Sequence, residues 1–247
     1  MIGRELITHL RESILDDVQI PYLWPDAELL RYLNYAEVQA CRRAHLLIDS
    51  STPTDLGTAA TASTMGTRPL CTLVLVPNYA TYNLSKKVLQ VKRCQLIGMD
   101  YPLEGPIHYP HADGVMPGWI GTNGTVGTCG SSGYPDSYLN EPNDTITFLR
   151  APSVAGTANL VVSRLPLVQF TLNTSPEIDE KYHIDICDWA AHLAYMKNDS
   201  DTINLNLAKY YEDKFTEKFG PLRDAYSERM IKVLNQQTRM RPREFGS

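Results

Sequence analysis

The sequence of 247 residues lacks the marks of several large protein classes. No apolar run is long enough for a membrane helix, and the first residues, MIGRELITHLRESILDD, alternate charged with apolar side chains, unlike a secretory signal. The five cysteines are odd in number and contain no C-x-x-C pair, which favours reduced thiols in a protein made in a cytosol. We therefore expect a globular protein without membrane spans or a disulfide framework.

An excess of positive charge is also missing. The net charge of −5 argues against a body that grips nucleic acid tightly. Residues 174–220 hold ten acids against five lysines, whereas residues 229–243 hold five basic residues and no acid. A basic segment of this kind indicates either a partner-binding tail or a solvated terminus, and charge alone does not choose between them.

The chain divides into a helical part, a β and loop part, and a second helical part. Apolar residues recur at helical spacing in GRELITHLRESILDDV and after Pro25 and Asp26, which predict a helix start. Residues 50–68 have linker composition. The segments with strand composition are 70–76, 86–98, 144–152 and 158–170, and we predict that the last two form a hairpin turning at SVAGT.

Neither helical part has enough helices to close a core alone. We therefore predict an α+β fold in which an antiparallel helical bundle carries an inserted antiparallel β module and a C-terminal extension. The predicted parts are bundle helices at 1–50, the inserted β/loop module at 51–172, bundle helices at 173–220 and an extended basic tail at 221–247.

The stretch HIDICDWAAH, residues 183–192, concentrates side chains that suit metal or acid–base chemistry. It lies in a predicted helix that starts at Ser175 and Pro176. Helical geometry places one apolar stripe on the core side, with steps of four, three, four and three residues. The predicted bundle-core residues are Tyr182, Ile186, Trp189, Leu193 and Met196.

Two pairs in this helix, His183 with Cys187 and Asp188 with His192, have the i, i+4 spacing of metal ligands. Zinc needs at least a third ligand, and the other histidine pair, His108 and His111, lies in the predicted β module. We predict no metal site and no cofactor, and a metal-dependent hydrolase is the less favoured alternative.

Other enzyme motifs are incomplete. GWIGTNGTVGTCGSSG has the composition of a phosphate loop but lacks its lysine-serine ending, and TCGSSG lacks the G-x-S-x-G spacing. The carboxylate pairs Asp16–Asp17 and Asp199–Asp201 lie at predicted helix ends, where capping explains them. The sequence therefore predicts a protein that is not an enzyme.

A helical hairpin is predicted around the polar turn NDSD. Asp199 or Ser200 would cap its second helix, and Gly220 with Pro221 would end it. The apolar residues predicted to face the bundle are Ile203, Leu207, Tyr210 and Tyr211.

Three segments resemble the head-to-tail adaptor (connector) proteins of tailed bacteriophages, particularly the short-tailed kind. They are ELLRYLNYAEVQACRRAHLL, GYPDSYLNEPNDTITFLRAPSVAGTANLVVSRLP and IDEKYHIDICDWAAHLAYMKNDSDTINLNLAKYYEDKFTEKFG. The resemblance covers most of the chain, although residues 101–135 have no counterpart in it.

The resemblance implies a structural virion protein that forms a ring of about twelve copies between the portal above and a tail tube or nozzle below. DNA would pass through the ring without specific binding, with no membrane involved. The place would be the head–tail junction of the virion, assembled in the host cytoplasm. Docking of tail fibres, or host recognition through the Tyr- and Gly-rich insert, is the alternative function.

The last residues, SERMIKVLNQQTRMRPREFGS, carry a short helical stripe and then Pro242, which ends it. They have too few apolar groups to fold alone, so a partner surface must order them. We hypothesise that they insert along the portal, and the alternative is that they pack on the acidic helices of their own chain. The candidate docking residues are Arg229, Lys232, Arg239, Met240, Arg241, Arg243 and Phe245.

Overall fold

The computed structural model describes residues 1–50, 70–107, 109–116, 118–119, 132–141, 144–198 and 202–228. Its helices are α1 (Gly3–Leu10), α2 (Asp26–Ala44), α3 (Tyr109–Val115), α4 (Ile186–Tyr195) and α5 (Leu205–Phe219), with a π-helical turn at Arg11–Leu15 and a 3₁₀ turn at Glu180–Tyr182. The strands are β1 (Leu47–Asp49), β2 (Thr72–Leu75), β3 (Thr81–Asn83), β4 (Val88–Leu96), β5 (Ser132–Gly133), β6 (Tyr138–Glu141), β7 (Thr145–Phe148), β8 (Ala151–Pro152) and β9 (Gly156–Arg164). The mixed α+β class is therefore as predicted. None of the described helices is long and apolar enough to cross a membrane.

The longest helix, α2, follows the start signals in its sequence. Pro25 is its N-cap in extended conformation, and Asp26 and Glu28 stand in the first turn, where the helix dipole favours acids. The helix ends at Ala44 because His45 takes a left-handed conformation with φ of 51°.

The strands form three small sheets. In the largest, β9 pairs with β1, β2 and β4; the second has the order β3-β7-β6 with antiparallel pairs, and the third joins β5 to β8 in parallel. The predicted hairpin turning at SVAGT is wrong, because the segments on its two sides enter different sheets. Strand composition located β2, β4, β7 and β9 but missed β1, β3, β5 and β6, and the pairing partners are strands distant in sequence.

The described chain folds into two compact units. The first, here called the helical unit, comprises residues 1–49, 87–89 and 163–224. The second, the strand unit, comprises the described residues of 50–86, 90–162 and 225–228.

One hydrophobic core fills the helical unit and draws on both ends of the sequence. Leu6 and Leu33 come from α1 and α2, while Ile186 and Phe215 come from α4 and α5, and all four are fully buried. The two helical parts of the sequence thus close a core together.

In the strand unit, a smaller core lies between α3 and the β6–β7 region. It contains Ile107, Ala112, Trp119, Leu139 and Leu149. The indole nitrogen of Trp119 donates to Asp113 at 2.8 Å, which fixes the ring beside α3.

The helix predicted to start at Ser175 starts at Ile186 instead. Asp179 caps the preceding 3₁₀ turn by accepting a hydrogen bond from the Lys181 amide at 3.3 Å. At the other end, α4 ends at Tyr195, and Met196, just after it, is 49% exposed. Its predicted place in the bundle core is therefore wrong, whereas Ile186 and Trp189 are buried, and Tyr182 and Leu193 pack partly buried against the core.

Candidate functional site

His183 has a structural position. The ring is buried, its Nε2 lies 3.0 Å from the carbonyl oxygen of Ile178, and its Nδ1 lies 3.1 Å from the backbone nitrogen of Met1. Both ring nitrogens are therefore occupied by contacts within the protein, and they fasten the start of α1 to the segment before α4.

The other three residues of the two candidate ligand pairs, Cys187, Asp188 and His192, also have separate environments. Burial raises the pKa of Cys187 to about 12, which keeps the thiol protonated at neutral pH. The carboxylate of Asp188 accepts from Lys214 at 2.8 Å, and Nδ1 of His192 lies 2.9 Å from the carbonyl oxygen of Ala208.

Within the described part of the chain, no three His, Cys, Asp or Glu residues are placed to hold one metal ion. Of the second histidine pair, His111 is exposed on α3, and His108 lies outside the described residues. Cys41, Cys71, Cys94 and Cys187 are buried, while Cys129 is outside the described part.

A charged network that the sequence did not predict holds the segment between β9 and α4. Arg164 contacts Asp49 at 3.1 Å and Glu177 at 2.6 Å. Burial opposes the charge of Arg164, but these two carboxylates raise its pKa. The other oxygen of Glu177 accepts from the backbone amides of Leu167 and Val168, so one side chain fixes both the arginine and the loop.

Glu37 in α2 extends this network into the core. Its carboxylate accepts from the backbone amides of Glu177 and Ile178, and burial raises its pKa to about 7. Glu37 is buried on the core face of α2, where an apolar residue is expected. The sequence therefore did not predict its role.

A second network supports the loop between the π-helical turn and α2. Buried Arg11 pairs with Asp17 and Asp26 and donates to the carbonyl oxygen of Trp24. Asp17, which the sequence assigned to a helix end, accepts from the amides of Leu23 and Trp24. Held in this way, the loop exposes several large apolar side chains, namely Val18, Ile20, Tyr22 and Leu23.

An apolar stripe was correctly predicted at the start of α5, but most of it faces solvent and not the bundle. Leu207 is 37% exposed, Tyr210 is 57% exposed, and Ile203, just before the helix, is also exposed, so the prediction that they face the bundle is wrong. Tyr211, the fourth residue of that prediction, does pack against the core, together with Ala208, Phe215 and Phe219. Periodicity reveals a stripe, but it does not say whether the same chain or another covers it.

The cap of α5 also differs from the prediction. The side chain of Asn204 accepts from the Leu207 amide at 3.2 Å, whereas Asp199 and Ser200 lie outside the described residues. At the other end the helix stops at Gly220, as predicted, with φ of 88°.

The strand unit has an apolar groove of about 410 Å³ at one end of β4 and β9. Glycines and prolines form much of its wall, and three exposed apolar side chains stand along it, Ile97, Tyr134 and Val154. Exposed apolar grooves of this kind are typical of protein–protein contact. The candidate portal-docking residues at positions 229–245 lie outside the described residues.

The charged networks described above bind segments of the helical unit to one another, and large apolar side chains are exposed on both units, as is typical of proteins that contact other proteins. Comparison with protein families agrees with this class. The family model described as SU10 adaptor protein matches residues 1–243, and the chain belongs to this family of short-tailed phage head–tail adaptors. It is therefore a structural adaptor protein of a phage virion. A search of curated proteins found no match.

Proposed function

We propose that the protein forms a ring at the head–tail junction of the virion, with the portal above it and a tail tube or nozzle below it. The observation that carries the proposal is the family match over residues 1–243, which leaves almost no part of the chain for an unrelated activity. DNA passes through the centre of the ring during ejection, without specific binding.

The division of the chain into two units supports this architecture. The helical unit takes its residues from both ends of the sequence, and the strand unit takes most of its described residues from the middle. We interpret the helical unit as the bundle that packs side by side in the ring, and the strand unit as a β module inserted into it.

The charge of the helical unit suits a conduit. Residues 174–220 carry ten acids and five lysines, so this part of the protein has little tendency to release counterions from DNA and trap it. A genome can then slide past the ring instead of binding to its wall.

The basic residues at 229–243 and the apolar Met240 and Phe245 supply the contact with the portal. Arginine side chains pair well with carboxylates on a partner, and the two apolar side chains add buried area. The segment is too poor in apolar residues to form a core of its own, which favours a partner surface as the place where it binds.

Docking of a tail fibre is a second function for the same protein, favoured by the apolar groove of the strand unit. Ile97, Tyr134 and Val154 are large apolar side chains that stand exposed beside that groove. Particles with Tyr134→Asp would then have a normal head–tail junction but fewer tail fibres. Electron microscopy of the particles measures the number of fibres.

Imaging of purified protein mixed with purified portal tests the main proposal. We expect a ring of adaptor copies on one end of the portal ring. Portal particles that stay bare over a range of adaptor concentrations would contradict it, provided that circular dichroism shows folded adaptor.

A further inference from the structure

In the helical unit, α4 is flanked by α2 and α5. Eight of the ten residues of α4 are buried, and the helix packs against both neighbours. On the α2 side, the Arg43 guanidinium stacks over the Trp189 ring, and on the α5 side Trp189 packs against Phe215. The outer faces of α2 and α5 consequently point away from the core that α4 completes.

The outer face of α2 is basic and aromatic. Arg31, Tyr35, Val38 and Arg42 follow one another at steps of four, three and four residues, opposite the buried Leu29 and Leu33. Tyr35 is 57% exposed and the Arg31 side chain is 62% exposed, while Val38 and Arg42 are half-buried. Arg31 has an acid within its own helix, Glu28, at 3.8 Å, a surface pair of small energetic value.

The outer face of α5 is aromatic and carries two carboxylates, and Lys214 beside Tyr210 on this face pairs with Asp188 at 2.8 Å. Leu207, Tyr210, Asp213 and Glu217 follow one another at steps of three, three and four residues, opposite the buried Phe215 and Phe219. All four are exposed. A large aromatic ring and a leucine in such a row cost free energy in water unless another surface covers them.

The two faces have the same make-up and opposite charge. Each presents one tyrosine, one aliphatic side chain and two charged groups at helical spacing, with arginines on α2 and carboxylates on α5. Two α2 faces brought together would oppose arginine to arginine, and two α5 faces would oppose acid to acid. Only the mixed pair is favourable for both charge and apolar burial.

We propose that the α2 face (Arg31, Tyr35, Val38, Arg42) of one copy packs on the α5 face (Leu207, Tyr210, Asp213, Glu217) of the next. This contact is head-to-tail, the type that closes into a ring when the rotation between copies permits. The inference rests on the proposed function, because it gives the ring its subunit contact, and it assigns the occupant of both faces to a second copy of this chain.

Cross-linking in purified virus particles tests the contact. A bis-maleimide reagent is applied to particles that contain the double variant Tyr35→Cys, Tyr210→Cys, and denaturing gels are probed for the adaptor. We expect a ladder of multimers that extends to the full ring. Particles made with either single variant give monomers, and particles that contain both single variants as separate chains give dimers and nothing larger.

A matched control uses an exposed position that belongs to neither face. Val168 is 69% exposed in the helical unit, so Val168→Cys with Tyr210→Cys is expected to give no ladder. Wild-type particles measure the background from the native cysteines.

Three results would overturn the proposal. They are a double variant present in particles at the wild-type amount without a ladder, dimers from one single variant alone, and cross-links from either face to a different virion protein. If instead the wild-type protein is missing from purified particles, the proposed function itself fails.

Should the cysteine variants not enter particles, Arg31→Glu and Glu217→Arg replace them. Each alone should lower the yield of complete particles by about tenfold or more, because it places like charges opposite each other at every contact, and the two together should restore it. No restoration overturns the proposal.

Discussion

The carboxylate of Glu37 accepts a hydrogen bond of 2.6 Å from the backbone amide of Glu177, which lies 140 residues later in the chain. The amide of Ile178 donates to the same oxygen at 3.3 Å. A buried acid in α2 therefore holds the segment that leads into α4. It joins the first and the second helical part of the sequence within the helical unit.

Replacing this acid should change how stability depends on pH. Burial raises the pKa of Glu37 from 4.5 to about 7, so the folded chain binds more protons than the unfolded chain between these values. The free energy of unfolding should consequently fall as the pH rises from about 4.5 through about 7. We expect Glu37→Gln, whose amide oxygen still accepts hydrogen bonds, to remove about 1–3 kcal/mol of that fall.

Urea unfolding at pH 5 and pH 8 measures this effect, and Glu28→Gln is its control. Burial alone would raise the pKa of Glu28, but hydrogen bonds from Tyr32 and Lys197 lower it, so its contribution is present at neutral pH and is lost as the pH falls. Glu28→Gln should therefore cost stability at pH 8. If the stability of the wild type and of Glu37→Gln depended equally on pH, the raised pKa of Glu37 would be contradicted.

Arg43 should be a strong determinant of stability in the helical unit. Its guanidinium is buried over the rings of Trp189 and Phe215, and it donates to Thr216 and to the carbonyl oxygen of Gly220. We expect Arg43→Ala to lower the free energy of unfolding by about 2–4 kcal/mol through lost packing and cation–π contact. Arg31→Ala is the exposed control, for which the change should stay within about 0.5 kcal/mol.

Thermal and urea unfolding of the two arginine variants make this comparison. Burial lowers the pKa of Arg43 because it disfavours the charged guanidinium. The contacts with the two rings and the carbonyl oxygen offset this loss of hydration. An Arg43→Ala variant as stable as Arg31→Ala would show that the guanidinium adds nothing to the core.

His183 should matter for folding and not for metal binding. Its ring contacts Ile178 and Met1, so His183→Ala is expected to lower the melting temperature. Elemental analysis of the purified wild-type protein should find no stoichiometric zinc. Zinc at one equivalent in the wild type, lost in His183→Ala, would contradict this expectation.

Removal of residues 229–247 should separate docking from folding. If the segment binds the portal, the truncated protein keeps the melting temperature of the full chain but no longer binds portal in a pull-down. A truncated protein that melts early and still binds portal would identify the segment as a support for its own helices.

Local sequence signals predicted those parts of the fold that neighbouring residues determine. Pro25 and Asp26 marked the start of α2 and Gly220 the end of α5, because caps depend on a few adjacent groups. Strand composition likewise located β2 and β4.

Tertiary contacts decided the rest. The amides of Glu177 and Ile178 bind the Glu37 carboxylate, and the helix predicted from Ser175 begins at Ile186 instead. The pairing of β7 and β9 with other strands has the same origin, since partner choice depends on residues far away in sequence. The apolar stripe containing Leu207 and Tyr210 was detected, but its exposure depends on which of two stripes α4 covers.

We propose above that copies of this protein form a closed ring by a repeated head-to-tail contact. Cryo-electron microscopy of the protein bound to its portal measures this directly. We expect a cyclic ring of about twelve copies at one end of the portal, in which each copy contacts its neighbours through two different surfaces. A closed two-fold dimer, in solution and on the particle alike, would contradict it.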